Sequence, residues 1–349
     1  MKTANAAAPA TDTIVSPLFH GNAVPWHGLA MTINVPFLKT ETALFETGKD
    51  ALVGLRNCCM VAPDGTIIKI EEAKVMYFIG TNKTIKVVGN RYKPTQNVDA
   101  FKFMDSFIFA KKASIEIVGG LKDGNIVWMM ADASVSVTED VPGEDIPGED
   151  IPGFRVTQPI PSVEIVPGDE VKAYIHLSHS HDGTLSIRAG FTPVRMANMS
   201  FLSLDRDMAS NNIVKTKHTV GIDFSIEAVN SIMETANADF AVMTARFKKF
   251  AALKMTKHQA LAYFKKVMTG ADAEKDIEKT LDNLMFLWEN SDTIKLAGHN
   301  LWGAYNVITE FNTWYRGRSA DTRLQSLWFG QYGENNRHAL EAATKMVEG

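Results

Sequence analysis

Cysteine is nearly absent. The 349-residue chain has two, Cys58 and Cys59, and they are neighbours. Adjacent thiols exclude a disulfide framework and a four-cysteine zinc site, and free thiols suit a reducing, cytoplasmic compartment. No apolar run approaches the roughly 18 residues that a membrane-spanning helix needs, so no membrane partner is expected. There is no P-loop, no GxGxxG after a strand and no GxSxG elbow, so nucleotide hydrolysis has no visible apparatus. Positive charge is not in excess either: 36 Lys and Arg face 40 Asp and Glu, a net charge of −4. That balance excludes a uniformly basic, histone-like binder of polyanions. The first 16 residues (MKTANAAAPATDTIVS) lack the continuous apolar stretch of a secretory signal, and residues 1–25 are read as a disordered or arm-like terminus.

What is present is ordinary for a globular protein, with 45% hydrophobic and 22% charged residues. The pattern predicts an α+β chain: a β-rich core over 26–224, then a helical C-terminal region over 225–349. Within the core, 75–79 and 84–88 read as short strands and 97–110 as a helix. Residues 113–118 and 124–130 read as a hairpin turning at Lys122-Asp123-Gly124. In EVKAYIHLS (170–178), Val171, Ala173, Ile175 and Leu177 alternate with Lys172, Tyr174, His176 and Ser178. That strand returns through Asp182-Gly183 as a second hairpin ending at 191. The two hairpins predict one antiparallel sheet of about four strands with a long helix, at 225–253. Shorter helices follow at 256–270, opened by a Thr256/Gln259 capping box, and at 273–289, 296–315 and 335–347. Between the hairpins, VPGEDIPGEDIPG (141–153) repeats proline, glycine and acid, and predicts a solvated acidic loop over 139–153.

Charge is segregated along the chain. Residues 69–122 hold ten Lys and Arg against five Asp and Glu, and 239–268 hold seven bases against Asp239 alone. Segregation of this kind makes a local polyanion site on a chain of modest total charge. The candidate contacts are Lys83, Lys86, Arg91, Lys93, Lys111, Lys112, Arg188 and Arg195, with Tyr92 to stack on a base. Lys and Arg on phosphates and bases on aromatics are what single-stranded nucleic acid requires. A second constellation, His179, His181 and Asp182 with distant His218, has the donor types of a zinc or iron site and supports a metal-dependent hydrolase or nuclease as the alternative. Its spacing is poor, because His176 and His179 point to opposite faces of a regular strand. Cys58 and Cys59 lack a nearby histidine and read as small buried side chains. Gly119-Gly120 reads as a strand-end bend.

Several ordered motifs resemble the phage/plasmid-like family called domain of unknown function 932. They are Trp26-His27-Gly28-Leu29; NRYKPTQN (90–97) with Ala100-Phe101; Gly119 to Gly124 with Val127-Trp128; and Gly168-Asp169, Tyr174 and SHDG (180–183). They continue through TPVR (192–195) with Asn198, His218-Thr219, WGAYN (302–306) with Glu310, and Trp328-Phe329-Gly330. The family's usual cysteine near Asn198 is missing here, which rules out a catalytic cysteine at that place. The hairpin, hairpin and long-helix pattern is similar to that of RecT and Redβ single-strand annealing proteins, a likeness at fold level only. The resemblance implies an ATP-independent single-stranded DNA-binding and annealing protein of a phage or plasmid, acting in homologous recombination in the bacterial host's cytoplasm. It implies no cofactor and no catalytic centre, a homo-oligomeric ring or filament, and a phage exonuclease or host single-strand-binding protein as partner. A non-enzymatic scaffold or host-interaction protein of a mobile element is the third reading.

Overall fold

The computed structural model describes residues 29–35, 37–135, 159–203, 214–216, 226–269 and 277–348. The N-terminal arm, the acidic Pro-Gly segment, His218 and the expected helix end at Gly270 lie outside the described residues.

Two antiparallel sheets organise the chain. The larger has the order β1 (Ala30–Thr32), β5 (Ser114–Leu121), β6 (Ile126–Asp132), β8 (Asp169–Ser180), β9 (Ile187–Arg195), β10 (Ser200–Phe201). In addition, β7 (Val163–Val166) pairs with β8 and β11 (Val214–Thr216) with β9. The two expected hairpins are its centre, β5–β6 and β8–β9, joined directly by pairing of β6 with β8 from Ile126↔Ser180 to Asp132↔Tyr174. The first turn is tight because Lys122, Asp123 and Gly124 all take left-handed φ, at 49°, 55° and 87°. Gly119 is no bend. It lies inside continuous pairing, and a Cβ there would overlap the Trp128 indole, so its missing side chain lets that ring lie across β5.

The sheet is a middle layer. On one face Val171, Ala173, Ile175 and Leu177 of β8 join the main core. The other face, on the Tyr174 side of β8, is covered as well. Tyr174, Trp128 and Met130 pack with Trp314, Leu324, Leu327 and Trp328 from the end of the chain.

Helices α1 (Thr40–Glu46), α2 (Asn97–Phe101) and α3 (Met104–Phe109) precede β5 or flank it in space; the last two replace the single expected helix. The long helix is α4 (Ile226–Ala252), about 40 Å at 1.5 Å per residue. Its stripe Val229, Met233, Phe240, Met243, Phe247 and Phe250 is buried. Then come α5 (Lys257–Thr269), α6 (Glu278–Asn290), α7 (Asp292–Ala297), α8 (Leu301–Glu310), a π-helical turn (Phe311–Tyr315), α9 (Ala320–Phe329) and α10 (Gln331–Glu348). The capping box forms: Thr256 N donates to Gln259 Oε1 at 2.8 Å, and Gln259 N to Thr256 Oγ1 at 3.3 Å. The helix expected over 296–315 is cut because Gly298 turns left-handed (φ 83°) and Asn300 caps α8 through Gly303 N at 2.8 Å. One hydrophobic core runs through the sheet and these helices.

The smaller sheet is β2 (Val53–Val61), β3 (Ile67–Phe78) and β4 (Thr84–Gly89), in that order. Its own core is Val53, Met76 and Phe78, with Leu55, Ile85, Val88 and Tyr92 against it. Because β4 pairs only with Ala73 to Tyr77, the far end of β2–β3 is a two-stranded ribbon. Met60, Val61, Ile67 and Ile68 are exposed there. Cys58 is half-buried and Cys59 exposed, so the cysteines are not core residues.

Candidate nucleic-acid interface

Alternation in the small sheet puts Val53, Leu55, Met76 and Phe78 on its core side. The register pairs Gly54 with Tyr77, Arg56 with Val75 and Val75 with Val87 on the other side. Gly54 matters because a Cβ there would sit 3.2 Å from the Tyr77 ring, tighter than most contacts, so the bare backbone lets the ring lie along β2. The Arg56 guanidinium covers that ring at 3.9 Å from its centroid and donates to Asn82 O at 2.9 Å. A cation–π contact at an exposed site contributes about 0.5–1 kcal/mol. Val87 is exposed beside this pair. Residues 53–93 hold seven bases (Arg56, Lys69, Lys74, Lys83, Lys86, Arg91, Lys93) and three acids (Asp64, Glu71, Glu72). The small sheet therefore carries +4 in a chain of net charge −4. Arg56 and Tyr77 escaped the sequence reading because β2 was not recognised as a strand, which hid the cross-strand pair.

The expected contacts do not form one face. Lys83, Lys86, Arg91, Lys93 and Tyr92 belong to the small sheet. Arg91 and Lys93 are exposed. Lys83 pairs with Asp123 at 2.8 Å and Lys86 donates to Asp182 O at 2.8 Å, so both also tie the small sheet to the hairpin turns. Tyr92 leans on the small core, and burial together with the Asp182 charge raises its pKa. Lys111 and Lys112 stand before β5, at the opposite end of an eight-residue strand from the Lys122–Asn125 turn, roughly 25 Å away at 3.3 Å per residue. Arg188 lies on the large sheet, 5.8 Å from the Phe329 ring centroid.

Two expectations are corrected. Lys112 is buried, and desolvation lowers its pKa; it does not present a charge to solvent. Arg195 is fully buried. Its Nε and Nη2 donate to Asp169 at 2.7 and 2.8 Å, and Nη1 to Thr293 Oγ1 at 2.8 Å. Every nitrogen of the guanidinium is committed inside the protein, so Arg195 cannot also reach a phosphate.

This ion pair is the centre of a buried network. Trp302 Nε1 donates to Asp169 Oδ2 at 2.9 Å, Asn198 Nδ2 to Thr293 at 3.1 Å, and Trp314 Nε1 to Asn198 O at 2.9 Å. Glu310 faces it, with its pKa raised by burial, and Tyr315 OH lies 3.4 Å from its Oε1. Asp169, Arg195, Asn198, Trp302 and Glu310 come from the motifs quoted above. They clamp the helices to the sheet.

The histidines divide as the spacing predicts. His176 packs on Trp328 at 4.5 Å, while His179 faces Phe101 on the other side at 6.3 Å. His179 and His181 are buried neighbours with centroids 4.9 Å apart. The Asp182 carboxylate serves its turn, accepting from Thr184 N at 2.9 Å and Oγ1 at 2.6 Å. Among the described residues no three metal-type side chains converge.

A family model described as a domain of unknown function (DUF932) matches residues 84–328. The chain belongs to the DUF932 family. In this DUF932 protein the match covers β4 and the described elements from there into α9, and β2 and β3, with Arg56 and Tyr77, precede it. Comparison with curated proteins and with solved structures finds no match. Among the described residues no helix is long and apolar enough to cross a membrane.

Proposed function

We propose that this DUF932 protein binds single-stranded DNA and anneals complementary strands without ATP, in recombination on a phage or plasmid. The observation that carries the reading is the exposed side of the small sheet, where the Tyr77 ring lies under Arg56 at 3.9 Å on a unit of net charge +4. A strand would stack a base against the Arg56–Tyr77 pair and lay its phosphates along Arg56, Arg91 and Lys93, with Lys83 at the edge. Lys111 lies too far round the molecule to join that track and would meet a strand only along a longer path, while Arg188 stands by Phe329 on the large sheet. Annealing needs two strands held with their bases accessible, which a one-sided, open sheet face permits and a closed channel does not.

Assembly into a ring or filament belongs to the proposal: head-to-tail contacts would align one such face after another, and the exposed apolar tip of β2–β3 is a surface for them. A partner exonuclease or single-strand-binding protein would act on the same strand, in the cytoplasm of the bacterial host. The test is an annealing assay with two complementary labelled oligonucleotides and no nucleotide present. Protein-dependent annealing, lost in Tyr77→Ala with Arg56→Ala, is expected. No annealing by the wild type, or a requirement for ATP, overturns the proposal.

A further inference from the structure

The β2–β3 ribbon ends in an apolar tip. The register sets Val61 against Ile67 and Met60 against Ile68, and successive pairs point to opposite faces. Val61 and Ile67 are each 71% exposed, Met60 49% and Ile68 44%, so apolar side chains meet solvent on both faces. Among the described residues, 58–61 and 67–70 pair only with each other. A two-stranded hairpin with no layer on either face is marginal in water, and an apolar cluster on unpaired edges marks a contact surface. The charges of 58–70 are Asp64 and Lys69 alone, so the tip carries no net charge.

A receptor for it lies at the other end of the same strands. A cleft of about 560 Å³ opens where β2 begins and β3 ends, against the β5–β6 turn, within the size range of pockets that enclose a small molecule. Phe78 and Val127 form a buried floor, and Leu52 and Ile79, 55% and 48% exposed, form apolar walls. At the rim Lys49 and Lys83 are matched by Asp50 and Asp123, and the Lys83–Asp123 pair is formed at 2.8 Å. With its charges balanced, the cleft favours neither an anion nor a cation, while its exposed walls gain from an apolar neighbour. Neutral apolar tip and neutral apolar cleft are complementary.

Tip and cleft stand at opposite ends of β2, Val53 to Val61, about 26 Å apart at 3.3 Å per residue. The strand that carries both holds them apart, so a molecule cannot close its tip on its own cleft. We propose that the tip of one copy seats in the cleft of the next, Val61 and Ile67 covering Leu52 and Ile79. Tip-to-tip contact would leave the cleft walls open; tip-to-cleft contact covers both patches. Because the two surfaces differ, the interface is heterologous, and its repetition gives a ring or an open filament. Small sheets then follow one another end to end, each presenting its Arg56–Tyr77 pair. The contact itself stands on the two patches; its use in annealing rests on the function proposed above.

The test follows full-length protein by sedimentation velocity over a series of micromolar concentrations. Wild type should grow in mass with concentration. Ile67→Lys blocks the tip and Leu52→Lys the cleft, at side chains more than half exposed. Each is checked for an unchanged melting temperature, and Val61→Lys or Ile79→Lys replaces one that melts early. Each variant alone should remain a monomer. Mixed in equal amounts, the two should form a dimer and stop, because the first keeps a working cleft and the second a working tip. A wild type that is monomeric at every concentration overturns the contact, as does a mixture that stays monomeric. Assembly lost in Ile67→Lys but kept in Leu52→Lys reports tips meeting tips and also overturns it, and so does assembly kept in Ile67→Lys. A labelled single-stranded oligonucleotide titrated into the same wild-type preparation separates the two readings. Strand binding without assembly removes the contact and leaves DNA binding standing; assembly without strand binding does the reverse.

Discussion

Replacing Arg195 separates a structural arginine from a phosphate contact. In Arg195→Ala, Asp169 loses both of its guanidinium bonds and keeps, of the network's donors, Trp302 Nε1 at 2.9 Å. Both partners have fully buried side chains, so the carboxylate is left charged in a low-dielectric site or must take up a proton. Breaking one side of such a pair costs about 3–5 kcal/mol. Thr293 Oγ1 loses one of its two donors and still holds Asn198, a smaller addition. At roughly 2–4 °C per kcal/mol for a unit of 150–250 residues, the melting temperature should fall by about 6–20 °C. The assay is a thermal melt followed by circular dichroism, paired with a single-strand titration at a temperature where the variant is folded. Binding per folded molecule should be unchanged. A variant that melts within about 2 °C of wild type, or one that melts normally but binds DNA poorly, refutes the assignment of Arg195 to the clamp.

Burial raises the pKa of Glu310, so the fold favours its protonated form, and this contribution to stability fades as pH rises above the unfolded value of about 4.3. Glu310→Gln should therefore flatten the high-pH side of the melting-temperature profile, measured from pH 4 to pH 8. Burial lowers His176 to about 3. The unfolded chain then binds a proton that the fold refuses, and stability drops as pH falls from about 6.5 toward 3; His176→Phe, which keeps the contact with Trp328, should lessen that drop in acid denaturation curves. Gly119→Ala drives a methyl into the Trp128 ring and should cost about 1–3 kcal/mol in chemical denaturation.

The hairpins were legible because β8 alternates strictly and both turns carry residues suited to left-handed φ, Asp123-Gly124 and Asp182-Gly183. The α4 helix was legible because its buried stripe keeps a 3.6-residue period over 27 residues. Other features depend on partners distant in sequence. Tyr174, His176 and Ser178 look like a wet face until residues 314–329 cover them. Arg195 reads the same in sequence whether it meets a phosphate or Asp169 26 residues away and Thr293 98 residues away. β2 left no period to read, because its tip is open on both sides and exposes Met60 and Val61. Without β2, neither Gly54 nor Arg56 could be set against Tyr77, and the stacking ring was sought at Tyr92, which leans on the small core.

The central claim is that a strand lies on the small sheet over Tyr77. It is tested most directly by titrating a labelled single-stranded oligonucleotide into wild-type, Tyr77→Ala and Arg56→Ala protein across a series of salt concentrations. Wild-type affinity should fall steeply with salt. Tyr77→Ala should weaken binding by about 1–3 kcal/mol with the slope unchanged, and Arg56→Ala should flatten the log–log slope by about 0.7. No binding at low salt, or binding indifferent to both substitutions, contradicts the account.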